Sequence, residues 1–139
     1  MFSLVYVSSA VKPFPHAQLL ELLARSRAHN AQLGVSGMLL YKCGNFMQAL
    51  EGEESVVRGL LATISADVRH RGVLVLLQQQ KDERDFAEWS MGFRDLDSPE
   101  ARAIPAYCEF MNIDLRDECF FSDPSNAQKL LLSFKQAMQ

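Results

Sequence analysis

A carboxamide in the middle of an apolar segment is the first residue that calls for explanation. In Phe46-Met47-Gln48-Ala49-Leu50, alternation along a strand puts Gln48 on one face with Phe46 and Leu50, and Met47 and Ala49 on the other. An amide has a donor end and an acceptor end, so an inward Gln48 needs partners for both. The plainer alternative is a Gln facing water on a half-exposed sheet. Asn30 poses the same question. At roughly 100° per residue it shares a helical stripe with Leu19, Leu23 and Ser26. A buried amide without partners costs a few kcal/mol. Either a polar group waits for it, or it caps a backbone group near Gly34.

Tyr6 lies mid-strand among apolar residues, where a buried phenol usually finds a hydrogen-bond partner, although it could be a simple core aromatic. Asp67 falls at the edge of an apolar helical stripe, or is an ordinary surface carboxylate. Trp89 and Met91 share one face of a short strand, with Ser90 opposite; core packing is the commoner use of both. Together an Asn, a Gln, a Tyr and an Asp would surround the space between two helices and a sheet, as in a polar-lined pocket.

Other chemistries find less support. Cys43 sits at a hairpin turn, which suits an incidental thiol better than a nucleophile. His16, His29 and His70 lack metal-ligand spacing, and no metal site is expected. There is no G-x-G-x-x-G. A ferredoxin-like enzyme of the acylphosphatase type would need an anion-cradling loop with Arg after the first strand, but Val7-Ser8-Ser9-Ala10-Val11-Lys12 has neither Gly nor Arg. No nicotinamide site for a reductase is visible.

The elements that must position these residues follow from periodicity and breakers. Phe2 to Val7 reads as a first strand and His16 to about Leu33 as a helix closed by Gly34. Val35–Tyr41 and Phe46–Leu50 form a hairpin turning at Gly44-Asn45. Val56, Val57, Leu60, Leu61, Ile64 and Val68 predict a second helix, with Arg69, His70 and Arg71 in its last turn and Gly72 ending it. Val73–Leu77 and Trp89–Phe93 complete the strands. The order β-α-β-β-α-β-β predicts an α+β, ferredoxin-like mixed five-stranded sheet with two helices on one face. A domain over 1–96 is followed by a helical extension over 97–139, in which Asp123-Pro124 caps a helix striped by Ala127, Leu130, Leu131, Phe134 and Met138. The extension is expected to pack on the sheet or meet a partner.

The chain of 139 residues carries a net charge of −3, which argues against direct nucleic-acid binding. Its three cysteines cannot all pair, and none forms a C-x-x-C, so a reducing compartment is the default. The apolar run Val73–Leu77 is too short to span a bilayer. A cytoplasmic protein without a membrane partner is expected.

The residues then add up to a resemblance. Leu4-Val5-Tyr6, Ser26-Arg27 with Asn30, Gly34 through Tyr41, Gly44 through Gly52, Asp67 through Arg71, and Phe86 through Phe93 resemble the BLUF domains, blue-light sensors that use FAD. The tail resembles the helical extension of the short, single-domain members. The resemblance implies that Tyr6 is the photoactive tyrosine, giving an electron and a proton to the excited flavin, and that Gln48 stands between it and the ring. It implies flavin contacts from Asn30, Asp67 and Arg69, a serine beside the glutamine at Ser26, and positions near the ring for His29 and His70. Trp89 and Met91 would exchange environment as the signal leaves through strand five and the C-terminal helices. The cofactor would be FAD, with FMN or riboflavin as substitutes. The protein would be a photoreceptor and not an enzyme, acting on a downstream signalling protein or through its own assembly as a homo-oligomer. A BLUF-like interaction module that has lost its flavin is the alternative, against which Tyr6, Asn30 and Gln48 speak.

Overall fold

The computed structural model describes residues 1–12, 14–87 and 91–95, with residues 122, 123, 125, 127–129, 131 and 132 of the tail. Strands β1 (Phe2–Ala10), β2 (Ser36–Lys42), β3 (Asn45–Gly52), β4 (His70–Gln80) and β5 (Gly92–Asp95) and helices α1 (His16–Leu33) and α2 (Glu54–Ala66) follow the expected order. The strands form one sheet in the order β4-β1-β3-β2-β5, antiparallel except for the parallel β2–β5 pair. This is the mixed α+β architecture that the residue pattern implies. It leaves β1 and β3 central, so both their faces need cover. Leu4, Tyr6 and Ser8 on one face of β1 and Val5 and Val7 on the other are all buried, which is why β1 reads as a continuous apolar run.

Both helices pack on the face that carries Leu4, Tyr6, Leu39, Phe46 and Leu50. The opposite face holds Met38, Leu40, Met47 and Ala49, all with no exposed surface. From the tail, Ala127 and Leu131 are also fully buried, and Gln128 donates to Asp85 Oδ2 at 2.6 Å. Asp123 Oδ1 accepts from the Ser125 N–H at 3.1 Å, the bond an N-cap carboxylate makes.

Several element ends differ from expectation. Gly34 closes α1 in the left-handed conformation, as expected. The hairpin turn, however, is Cys43-Gly44, both at positive φ, and β3 already begins at Asn45. Helix α2 stops at Ala66 instead of running through Arg71. Asp67 is extended, and its Oδ1 accepts the Arg69 N–H at 2.8 Å; this local turn competes with the next helical hydrogen bond and ends the helix. Arg69 therefore lies in the turn, His70 opens β4, and Val68 is 88% exposed instead of joining the apolar stripe. Gly72 is no helix terminator: it sits inside β4 at positive φ, where the β1–β4 register slips. The expected Trp89–Phe93 strand is described from Gly92; Trp89 lies outside the described residues, as do Phe134 and Met138.

One glycine is required by contact. A Cβ on Gly37 would stand 1.9 Å from the Ala49 carbonyl oxygen and 3.4 Å from Met91 Cε. Its bare backbone lets β2 lie against β3 while Met91 fills the space beside it.

Candidate functional site

Register brings the two most conspicuous polar residues together. Tyr6 and Gln48 are direct cross-strand partners in β1 and β3, so their side chains leave the sheet side by side. The phenol donates to Gln48 Oε1 in a short hydrogen bond. Gln48 Nε2 in turn donates to Met91 Sδ at 3.3 Å. Gln48 is only 6% exposed, which removes the water-facing alternative, and the amide's two ends are used in the order that the phenol dictates. Burial favours the neutral phenol and pushes the Tyr6 pKa up.

Helix α1 supplies the opposite wall. Asn30 is 4% exposed and faces the same space. The helix end is closed by backbone bonds, from the Gly34 N–H to the Ala31 and Asn30 oxygens and from the Val35 N–H to the Asn30 oxygen at 2.9 Å. Ser26 and His29 stand on the same side, His29 at the exposed rim with Arg25 and Thr63. Arg27, on the flank, donates from Nε to the Met91 backbone oxygen at 2.9 Å and so ties α1 to the entry of β5.

The third wall comes from the turn after α2. Asp67 accepts from Arg69 Nη2 at 2.7 Å, and this pairing holds its carboxyl down at about 2. His70 lies with its ring 4.9 Å from that of Phe46, and its Nδ1 is 3.2 Å from Ser8 Oγ; burial lowers its pKa.

These groups enclose a cavity of about 390 Å³, lined by Tyr6, Ser26, His29, Asn30, Gln48, Asp67, Arg69 and His70. Every residue singled out in the sequence as a flavin contact thus borders a single space. Between them stand Leu22, Leu39, Leu50, Leu60 and Ile64, which the sequence reading took as core or did not single out. The volume falls within the roughly 300–1,000 Å³ of small-molecule sites. Aliphatic side chains from both helices and the sheet suit the faces of a planar ring. Two carboxamides and a guanidinium suit an edge bearing carbonyl and ring-nitrogen atoms.

Away from the cavity, the sequence reading missed Glu51 and Arg84. Glu51 has no exposed surface, and its carboxylate accepts the N–H groups of Asp85 (2.7 Å) and Phe86 (2.8 Å). Arg84 donates to Ser36 Oγ at 2.8 Å and to the Gly34 carbonyl at 2.7 Å. Together they fasten the β4–β5 connection to the ends of β2 and β3. Alternation, which places Glu51 on the Met47–Ala49 face, could have flagged it; nothing local marks Arg84.

The fold and the cavity define an α+β module with a polar-edged hollow between its helices and its sheet, suited to a planar ligand. Residues 1–92 match the family model for BLUF, "Sensors of blue-light using FAD", and the chain belongs to that family of blue-light-sensing flavoproteins. It is 36% identical over 97 residues to the photoactivated adenylate cyclase subunit alpha of Euglena gracilis, a match covering 68% of this chain and 10% of that protein. It is 31% identical over 94 residues to the blue light- and temperature-regulated antirepressor BluF of Escherichia coli (strain K12), covering 68% of this chain and 23% of that one. The matches span only about a tenth of the cyclase relatives' length. Among solved structures, the dark-state BLUF protein BlrB superposes with a TM-score of 0.70 at 30% identity, covering 92% of this chain and 96% of that one. The photo-activated state of BlsA superposes with a TM-score of 0.74 at 26% identity, covering 94% of each chain. Among the described residues, no helix is long and apolar enough to cross a membrane.

Proposed function

We propose that this protein is a photoreceptor in which Tyr6 and Gln48 form the photoactive pair beside a bound flavin, FAD in the first instance, and that Met91 carries the change away. The observation that carries this reading is the chain Tyr6–Gln48–Met91 along one edge of the cavity. When bound, the flavin supplies absorption of blue light and an excited state that withdraws an electron from a nearby donor. All the other steps belong to the chain. The Tyr6 phenol is the oxidisable group nearest Gln48, and losing an electron makes its proton strongly acidic. That proton already points at Gln48 Oε1, so the amide is its first acceptor. When the electron and proton return, Gln48 can settle with its donor and acceptor ends exchanged. The carbonyl oxygen would then face the thioether, and the hydrogen bond to Met91 would be lost.

Asn30 would hold the ring's polar edge, with Ser26 beside the glutamine and Asp67, Arg69 and His70 closing the far side; His29 would flank the ring at the rim. Release of Met91 acts on Gly92 and β5, and through the β4–β5 connection on the tail residue Gln128, which bonds to Asp85. A population shift between two arrangements of this strand is the output. Its reader is a separate signalling protein or a second copy of the chain. In this reading Trp89, which lies outside the described residues, also takes part in the relay.

An absorption spectrum before and after blue light tests the proposal. The protein should be yellow, shift slightly to the red and revert in the dark. Tyr6→Phe should bind flavin and lose the shift. A normal photocycle in Tyr6→Phe, or a protein that takes up no flavin, overturns the reading.

A further inference from the structure

A second cavity, of about 340 Å³, is lined by Val11, Lys12, Phe14, Gln18, Val68 and Arg69. Arg69 borders both cavities. Its guanidinium donates to the Asp67 carboxylate, which lines the first, and stands 5.8 Å from the centre of the Phe14 ring in the second. Among the described residues, two cations and no carboxylate line the second cavity. It also gathers two exposed aliphatic side chains, Val11 at 51% and Val68 at 88%. Exposed valines scattered singly need no explanation, but two that share a hollow with a cation pair form a surface with both apolar and anion-attracting parts.

We propose that this second cavity binds the nucleoside-diphosphate end of a dinucleotide whose ring system lies in the first cavity; the inference rests on the flavin reading above. The diphosphate meets Lys12 and Arg69 in charge-assisted contacts, and the base lies against the side chains of Val11 and Val68. Arg69 is already half-neutralised by Asp67, so Lys12 supplies the uncompensated charge and should decide how strongly the tail is held. The consequence is selection among flavins by a site outside the ring cavity. FAD engages both cavities, FMN brings one phosphate to their boundary, and riboflavin fills only the first.

The test titrates the full-length chain with riboflavin, FMN and FAD, following the quenching of flavin fluorescence at low and high salt. Wild type should bind FAD about tenfold or more tightly than riboflavin, with the advantage shrinking in high salt, as expected for exposed charges. Lys12→Glu should abolish the advantage and leave the riboflavin affinity unchanged, which also shows that the variant is folded. Val68→Asp should reduce it in the same way. Equal affinities for the three flavins in wild type overturn the proposal and leave the flavin reading intact, as does a Lys12→Glu protein that still prefers FAD. Failure to bind any flavin overturns both.

Discussion

Replacing Gln48 by Leu gives the sharpest test of the Tyr6–Gln48 contact, because the cost can be worked out from burial. Tyr6 is 2% exposed and donates to Gln48 Oε1, so the substitution leaves a buried hydroxyl without its acceptor. That should cost about 1–3 kcal/mol. Tyr6→Phe leaves the amide oxygen without its donor and should cost a similar amount. Loss of the Gln48–Met91 bond adds little, because a thioether is a weak acceptor. The double variant removes both partners and leaves a Phe beside a Leu, which can be nearly neutral. With the double near neutral, the coupling equals the sum of the two single costs, about 2–6 kcal/mol, the double variant being more stable than the sum of the singles predicts. Denaturant unfolding in the dark at fixed excess flavin measures it, with each flavin affinity determined so that the contribution RT ln(1 + [L]/Kd) can be removed. All three variants should lack the red shift. Additivity within about 0.5 kcal/mol would show that the pair is not coupled in the dark state and would refute the reasoning.

Two further outcomes follow from packing and charge. Gly37→Ala puts a methyl group 1.9 Å from a backbone oxygen, so β2 and β3 must separate; a loss of about 3 kcal/mol is expected, lowering the thermal midpoint by on the order of 10 °C. A midpoint within a degree or two of wild type would show that the strands yield freely. Burial depresses the His70 pKa, so the folded state favours the neutral ring. Its contribution to stability is complete above the unfolded value of about 6.5 and is lost as pH falls below it. Unfolding measured between about pH 7 and 5 should therefore show declining stability in wild type, with a shallower decline in His70→Phe. Asp67, held at about 2 by Arg69, contributes only in the lower window, losing its part as pH drops from about 4 through 2. Parallel profiles for wild type and His70→Phe would remove His70 as the cause.

Read alone, the residues carry the repeating part of the architecture. Alternation in β3 placed Gln48 with Phe46 and Leu50, and the stripe through Leu19 and Leu23 turned Asn30 inward; both are periodicities that a single segment records. Gly34 was legible because a left-handed helix terminus favours a residue without a side chain. Two kinds of information were not local. Where α2 stops depends on Asp67 reaching the Arg69 N–H, a competition between two hydrogen bonds that apolar spacing does not register. Which polar groups meet depends on strand order and register, since only the pairing of β1 with β3 sets Tyr6 opposite Gln48, and only the parallel docking of β5 on β2 brings Met91 to the amide. The same holds for Arg84, whose partners Ser36 and Gly34 lie about fifty residues away in the chain. Side-chain types and faces are properties of each segment, whereas hydrogen-bond partners are selected only when the sheet has assembled, because a buried donor must then accept whichever neighbour the fold provides.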